Sequence, residues 1–192
     1  MAKKDKKKNG NGSMGMLKDP TLLEPLDSED KQILRVVVET PKGSRNKYAF
    51  DPEEEVFELK KVLPEGMNFP YDFGFVPSTL GDDGDPLDVL VLMDEPAFPG
   101  CVLRCRAIGI MEGEQKDGKK KERNDRIVAV EQSNHSFADI KTLDDLGEKF
   151  CHELEEFFVN YNKLSGKEYR VIGRQGPGAV RKLIKSKLVK AA

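Results

Sequence analysis

The sequence predicts an α+β domain: an OB-like closed antiparallel β-barrel with two C-terminal helices packed outside it. Three observations point there. Between residues 33 and 130, short apolar and β-branched runs alternate with Pro and Gly turns. After residue 136 the apolar residues change to a spacing of three and four, the period of a helix. The chain has 192 residues, a length that suits one domain of ordinary size.

The elements follow in order. Residues 1–16 are Lys, Asn and Gly with little to bury, and read as a disordered basic tail. The single domain then spans 17–192, entered through a Pro-rich, acidic segment at 17–30. ILRVVVE at 33–39 is a strand turned by Pro41-Lys42-Gly43-Ser44. Short strands at 47–51 and 56–63 end at Pro52 and at Pro64-Glu65-Gly66. Phe69, Tyr71, Phe73 and Phe75 alternate as in a core strand. Strands at 89–93 and 101–111 flank the Pro99-Gly100 turn, and another covers 127–130. Leu143, Leu146, Phe150, Leu154, Phe157, Phe158 and Tyr161 then share one face of an amphipathic helix. Thr142 and Asp145 resemble a capping box, and Gly166 is a plausible stop. A strand at 169–172 follows. Pro177 opens the last helix, with Val180, Leu183, Ile184 and Leu188 on its buried side.

Charge is segregated along the chain. The formal net charge is only -2, yet residues 51–95 hold 13 acids and two bases. Such a block repels phosphate, which argues against a nucleic-acid surface, and suits cations or a basic partner. The bases gather instead at the two ends and at 119–123. No run approaches the 18 apolar residues of a membrane span. Three cysteines and two histidines include no CxxC pair and no His pair at ligand spacing, which argues against a Cys/His zinc site. Sparse cysteines suggest reduced thiols and a cytoplasmic protein, with Cys101 and Cys105 packed in the core.

The densest acidic feature is Gly81-Asp82-Asp83-Gly84-Asp85-Pro86-Leu87-Asp88. Asp83, Asp85 and Asp88 stand at i, i+2 and i+5, with Gly and Pro forcing a turn before the apolar run at 89–93. Carboxylates crowded at the root of a buried strand raise one another's pKa values, unless hard cations sit among them. Oxygen-only ligands select Mg2+, Mn2+ or Ca2+. An EF-hand loop counted from Asp83 would need Gly at position 88 and Glu at position 94, and both are Asp. Asp82 fits a solvated turn better than the trio.

Asp83-Gly84-Asp85-Pro86-Leu87-Asp88-Val89 resembles the signature of the family I soluble inorganic pyrophosphatases. The neighbours resemble that family too: Val36-Val37-Val38-Glu39-Thr40-Pro41, Asn46-Lys47-Tyr48, the segment from Phe69 to Pro77, Arg104-Cys105-Arg106, and Phe157-Phe158 with Tyr161. The resemblance runs from about Leu34 to Tyr161 and more loosely to the end. It implies hydrolysis of inorganic diphosphate to two phosphates, with several Mg2+ (or Mn2+) ions lowering the pKa of a shared water. It implies Asp85 as the catalytic base, and Asp83, Asp88, Asp85 and Glu39 as metal ligands. Lys47, Lys61, Arg126 and Tyr161 would hold the substrate. By analogy it also implies a homo-oligomer, with a hexamer favoured, and diphosphate as the partner.

Several positions depart from that pattern. Ala49 stands where an acid is common, Lys61 where Arg is usual, and Phe69 and Phe73 where Tyr often occurs. Asn162 follows Tyr161 where Lys is common. The loop at 112–126 is longer, Arg126 replaces a Lys, and Asn124 falls at a metal Asp. Asp125 is the expected substitute ligand there, with Glu114 or Asp117 replacing a second Asp. The expectation is a divergent, active pyrophosphatase. The alternatives are a related barrel hydrolase acting on another phosphoanhydride, and an inactive metal-binding member.

Overall fold

The computed structural model describes residues 19–189, apart from the side chain of Asp117. The basic tail expected at 1–16 lies outside the described residues. Among these are nine strands and two α-helices: β1 Ile33–Thr40, β2 Asn46–Asp51, β3 Val56–Val62, β4 Asp72–Phe75, β5 Asp88–Leu92, β6 Val102–Asp117, β7 Lys120–Arg123, β8 Arg126–Glu131, α1 Glu148–Lys163, β9 Glu168–Gln175 and α2 Pro177–Lys187.

A mixed sheet dominates. Its pairings run β1-β4-β5-β8-β6-β7, β9 joins β6, and β6 also pairs back onto β1. The expected all-antiparallel arrangement is corrected at one place: β5 and β8 pair parallel, Val89 opposite Ile127. Those two strands are buried on both faces, so they read as continuous apolar runs, as parallel strands do. The parallel pairing also sets Asp88 and Arg126 side by side, each the first residue of its strand. The β2–β3 hairpin forms a separate two-stranded sheet.

Two apolar clusters sandwich the sheet. Val36, Val38, Val89, Val91, Ile127 and Ala129 pack with Val180 and Ile184 of α2. Leu90, Leu92, Val128, Val130 and Phe73 pack with Leu154 and Phe158 of α1. β5 and β8 alternate their residues between the two clusters, the period-2 geometry of a strand. Phe69, Phe73 and Phe75 are buried, which accounts for the alternating aromatics as core. Gly74 has a steric reason: a Cβ there would come 2.0 Å from the carbonyl oxygen of Val37 on β1.

Some boundaries differ from those expected. β6 extends to Asp117 and pairs with both β7 and β9, so the 112–126 segment is chiefly a hairpin. The helix begins only after Gly147, whose φ of 80° breaks it from a 3-10 turn at Asp144–Leu146. Asp145 Oδ2 accepts the Thr142 N–H at 2.8 Å, the reach-back of the proposed cap, but it closes that short turn. Leu188 was expected in the core and is 49% exposed, because α2 ends at Lys187 and the chain leaves its helical register. Cys105 and Cys151 are buried and Cys101 half-buried, all three as free thiols. No described helix is long and apolar enough to cross a membrane.

Candidate active site

The acidic turn is built by its own backbone. Gly84 adopts φ +95°, a left-handed conformation that costs a side chain and not a glycine. The Gly81 N–H donates to the Asp85 carbonyl at 2.6 Å, and the Asp85 N–H to Asp83 Oδ1 at 3.3 Å. Thr79 Oγ1 donates to the Val76 carbonyl at 2.6 Å and accepts the Leu87 N–H at 3.0 Å, anchoring the turn below. Asp83, Asp85 and Asp88 then line one cleft of about 750 Å³. Asp82 does not line it; it pairs with Lys187 of α2.

Glu39 reaches the same cleft through a fault in the sheet. The β1–β4 register shifts between Val38 and Thr40, and Glu39 sits at that bulge, a device that re-aims side chains. Its carboxylate accepts Lys47 Nζ at 3.0 Å and the Phe50 N–H at 2.9 Å. Lys47 itself sits where the β2–β3 register shifts, and lies 4.4 Å from the Phe73 ring centre.

The electrostatics of the turn are those of crowded, buried carboxylates. Burial pushes the Asp88 carboxyl up to about 7, with Glu39 and Asp83 raising it further and Arg126 and Lys47 opposing. Burial likewise raises Asp83, and repulsion from Asp85 adds to it. Arg126 and Lys47 offset this repulsion only in part. Among the described residues no three acidic side chains close on one point, but the oxygen-only donors of the cleft are of the type that suits a hard divalent cation such as Mg2+ or Mn2+.

A cationic and aromatic wall faces the turn. Arg126 is buried, its guanidinium 4.2 Å from the Phe158 ring centre and 4.5 Å from that of Tyr169. Its Nη1 donates to the Asn124 carbonyl at 3.2 Å and its Nη2 lies 3.9 Å from Asp88 Oδ2, while Nε has no hydrogen-bond partner. Arg126 lines the cleft and carries a fixed positive charge beside the acidic turn. Lys61 Nζ lies 3.7 Å from the Tyr161 ring centre and donates to Ser165 Oγ at 2.6 Å. Burial, then repulsion from Lys47 and Lys167, lowers its pKa. Burial holds the Tyr161 hydroxyl up at about 12, so near neutral pH it stays a hydrogen-bond donor.

The cleft thus gathers Glu39, Lys47, Lys61, Asp83, Asp85, Asp88, Arg126 and Tyr161. Asp125 stands apart. It lines a smaller neighbouring cavity, and its carboxylate is taken by Arg123 at 2.9 Å and by the Gly113 N–H at 3.0 Å. Glu114 pairs with Lys121 and Arg170 and does not line the cleft; the side chain of Asp117 lies outside the described residues. Sequence reasoning missed Gln115 and Glu122, cross-strand partners on the hairpin that both line the cleft. Their signal was the alternation of a hairpin, hidden by charge. Ala49 and Phe73 line it where the family resemblance led one to expect polar groups. Asn162 is buried, donating to the Phe158 carbonyl at 2.8 Å, and Lys167 lines the cleft from the next turn.

A family model described as inorganic pyrophosphatase matches residues 36–191. An inorganic pyrophosphatase of a Nostoc species is 41% identical over 152 residues, covering 79% of this chain and 88% of that protein. One from Methanosarcina acetivorans is 40% identical over 151 residues, again 79% and 88%. The crystal structure of the Thermus thermophilus inorganic pyrophosphatase aligns with a TM-score of 0.80 at 31% identity, over 88% of this chain and 96% of that one. The Neisseria gonorrhoeae structure aligns with a TM-score of 0.76 at 33% identity, over 86% and 94%.

Proposed function

Because the chain belongs to the inorganic pyrophosphatase family, we propose that its cleft hydrolyses inorganic diphosphate to two phosphates with the help of Mg2+. One observation carries the proposal: three carboxylates of one turn, Glu39, four cations (Lys47, Lys61, Arg126 and Lys167) and Tyr161 all line the same cleft. Asp83, Asp85, Asp88 and Glu39 are the residues that would hold the cations, and Mn2+ suits the same donors. Bound there, divalent ions supply a water of lowered pKa and neutralise phosphate charge.

The chain's own groups do the rest. Asp85 is the exposed member of the trio and acts as base, taking the proton of the attacking water. The water oxygen bonds to one phosphorus and the bridging P–O bond breaks, its electrons leaving on the second phosphate. Arg126, Lys61 and Lys47, which line the cleft, hold non-bridging oxygens and stabilise the charge on the leaving phosphate. Tyr161 donates its hydroxyl to the same group. Asp88 takes its charged form as cations bind beside it. We read the return pairing of β6 onto β1 as closing an OB-like barrel that keeps these groups in register. The same family reading makes the protein a cytoplasmic homo-oligomer, a hexamer by analogy, with diphosphate as its partner rather than nucleic acid or membrane.

A second reading, another phosphoanhydride, draws on the breadth of the cleft. About 750 Å³ lies within the range of sites that enclose whole small molecules. Phosphate release from diphosphate, triphosphate and nucleoside diphosphates, measured in parallel at one Mg2+ concentration, separates the two. Diphosphate is expected to have the highest kcat/KM. A higher value for either of the other substrates would favour the second reading.

A further inference from the structure

A second cavity, about 30 Å³, lies beside the cleft, lined among others by Asp82, Asp83, Asp88 and Asp125 together with Arg123 and Lys187. Carboxylates at that density repel one another at short range. The chain meets the repulsion with cations of its own. Lys187, the last residue of α2, pairs with Asp82. Arg123, the last residue of β7, places a single nitrogen, Nη2, 2.7 Å from Glu112 Oε1 and 2.9 Å from Asp125 Oδ2.

Those two carboxylates arrive from different places, Glu112 from β6 and Asp125 from the residue just before β8. Each is also held by another donor. Gln175 Nε2 donates to Glu112 Oε1 at 2.8 Å, and the Gly113 N–H donates to Asp125 Oδ1 at 3.0 Å. The two oxygens therefore converge on one point without needing to rearrange, which is what a hard cation asks of oxygen ligands. A guanidinium nitrogen is at that point.

We propose that Arg123 is a built-in cation that does the work of a divalent ion on the β6–β8 side of the acidic cluster, so that metals gather only on the side of Asp83, Asp85 and Asp88. The proposal rests on the reading of the cleft as a metal site. Arg123 is then a positioning residue. It neutralises Glu112 and Asp125, and its fixed charge repels any ion that would settle between them. Its hydrogen bond is the largest influence holding the Glu112 carboxyl below its ordinary range, in keeping with a carboxylate already committed. The chain would in this way need fewer metal ions than its count of acids suggests.

Counting Mn2+ on the full chain, by calorimetry and by the EPR signal of the free ion, tests this. Arg123→Gln removes the cation and leaves both carboxylates, and is expected to bind one Mn2+ more per chain than the wild type. Arg123→Gln combined with Asp125→Asn is expected to return to the wild-type count. Asp125→Asn alone is expected to leave both count and affinity unchanged, because that carboxylate already serves Arg123. An Arg123→Gln chain that gains no ion overturns the proposal, as does an Asp125→Asn chain that loses one. Should Arg123→Gln not fold, Arg123→Met, which keeps the side chain's bulk and removes its charge, takes its place with the same expected gain of one Mn2+, and no gain overturns the proposal. A wild type that binds no Mn2+ overturns the metal reading beneath this proposal and the proposal with it. A wild type that binds Mn2+ and hydrolyses diphosphate, beside an Arg123→Gln chain with no gain, overturns this proposal only.

Discussion

The acidic turn at 81–88 and the β6–β7 hairpin are both dense in charge, and both present residues to the same cleft. They hold that charge in different ways. In the hairpin, acids meet bases across or along the strands: Glu114 with Lys121 at 2.6 Å, Glu122 with Lys120 at 2.8 Å, Glu112 with Arg123 at 2.7 Å. In the turn, Asp83, Asp85 and Asp88 fall within six residues that contain no base. What opposes their charge comes from distant strands, chiefly Arg126 at 3.9 Å from Asp88. Compensated charge of the first kind sets register. Carboxylates of the second kind are raised in pKa first by burial and then by one another, and call for a cation.

The largest expected effect breaks the turn's chemistry without touching its fold. Asp85→Asn should lower kcat by about 10²- to 10⁴-fold, the range for loss of a general base. Because Asp85 is exposed, its unfolding free energy should move by less than about 0.5 kcal/mol. Chemical denaturation beside steady-state assays checks both. A large loss of stability would return Asp85 to a structural role.

Much of this contrast was legible in the sequence, and the reason is locality. The acidic turn is written in eight consecutive residues, with Gly84 and Pro86 dictating its shape. The two helices were legible from their periods, and most strands from their bounding turns. The hairpin was not. Its ion pairs depend on which residue of β6 faces which of β7, and a run such as Lys119 to Arg123 looks like a solvated loop until that register exists. Asp125 shows the same limit. The sequence placed it one residue from a ligand position, but only the fold reveals that Arg123 and the Gly113 N–H already hold it. The parallel β5–β8 pair was also missed, since nothing local distinguishes it from two buried antiparallel strands.

A second test sharpens the comparison through pH. The Asp88 carboxyl is raised from 3.8 to about 7 in the fold. A raised acid favours the folded state fully below its unfolded pKa, and that contribution is lost as pH rises through the folded value. Metal-free wild type should therefore lose stability relative to Asp88→Asn between about pH 4 and pH 7. At pH 8 the variant should be more stable by on the order of 2–4 kcal/mol, and at pH 4 the two should agree. Saturating Mg2+ should close the gap by stabilising the wild type. Urea denaturation across this range measures it, and a gap that does not depend on pH would contradict the reading of Asp88.

Smaller effects are expected on the cationic wall. Lys61→Arg should restore a bidentate fork over Tyr161 and lower KM for diphosphate by about threefold to tenfold, with little change in kcat. The smallest effect belongs to the hairpin. Lys121→Ala breaks an exposed pair with Glu114 and should cost less than about 0.5 kcal/mol, with kcat/KM unchanged. A marked loss of activity there would mean that the hairpin's charges are catalytic, and would erase the contrast with the turn.

The most direct measurement is phosphate release from diphosphate by the purified, folded protein as Mg2+ is raised from zero. Hydrolysis should be absent without the metal, rise to saturation with it, and stay about 10²- to 10⁴-fold lower at all Mg2+ concentrations in Asp85→Asn. Metal-independent hydrolysis, or no hydrolysis at any Mg2+ concentration by a folded chain, would contradict the assignment of the acidic turn as a metal-dependent diphosphatase centre.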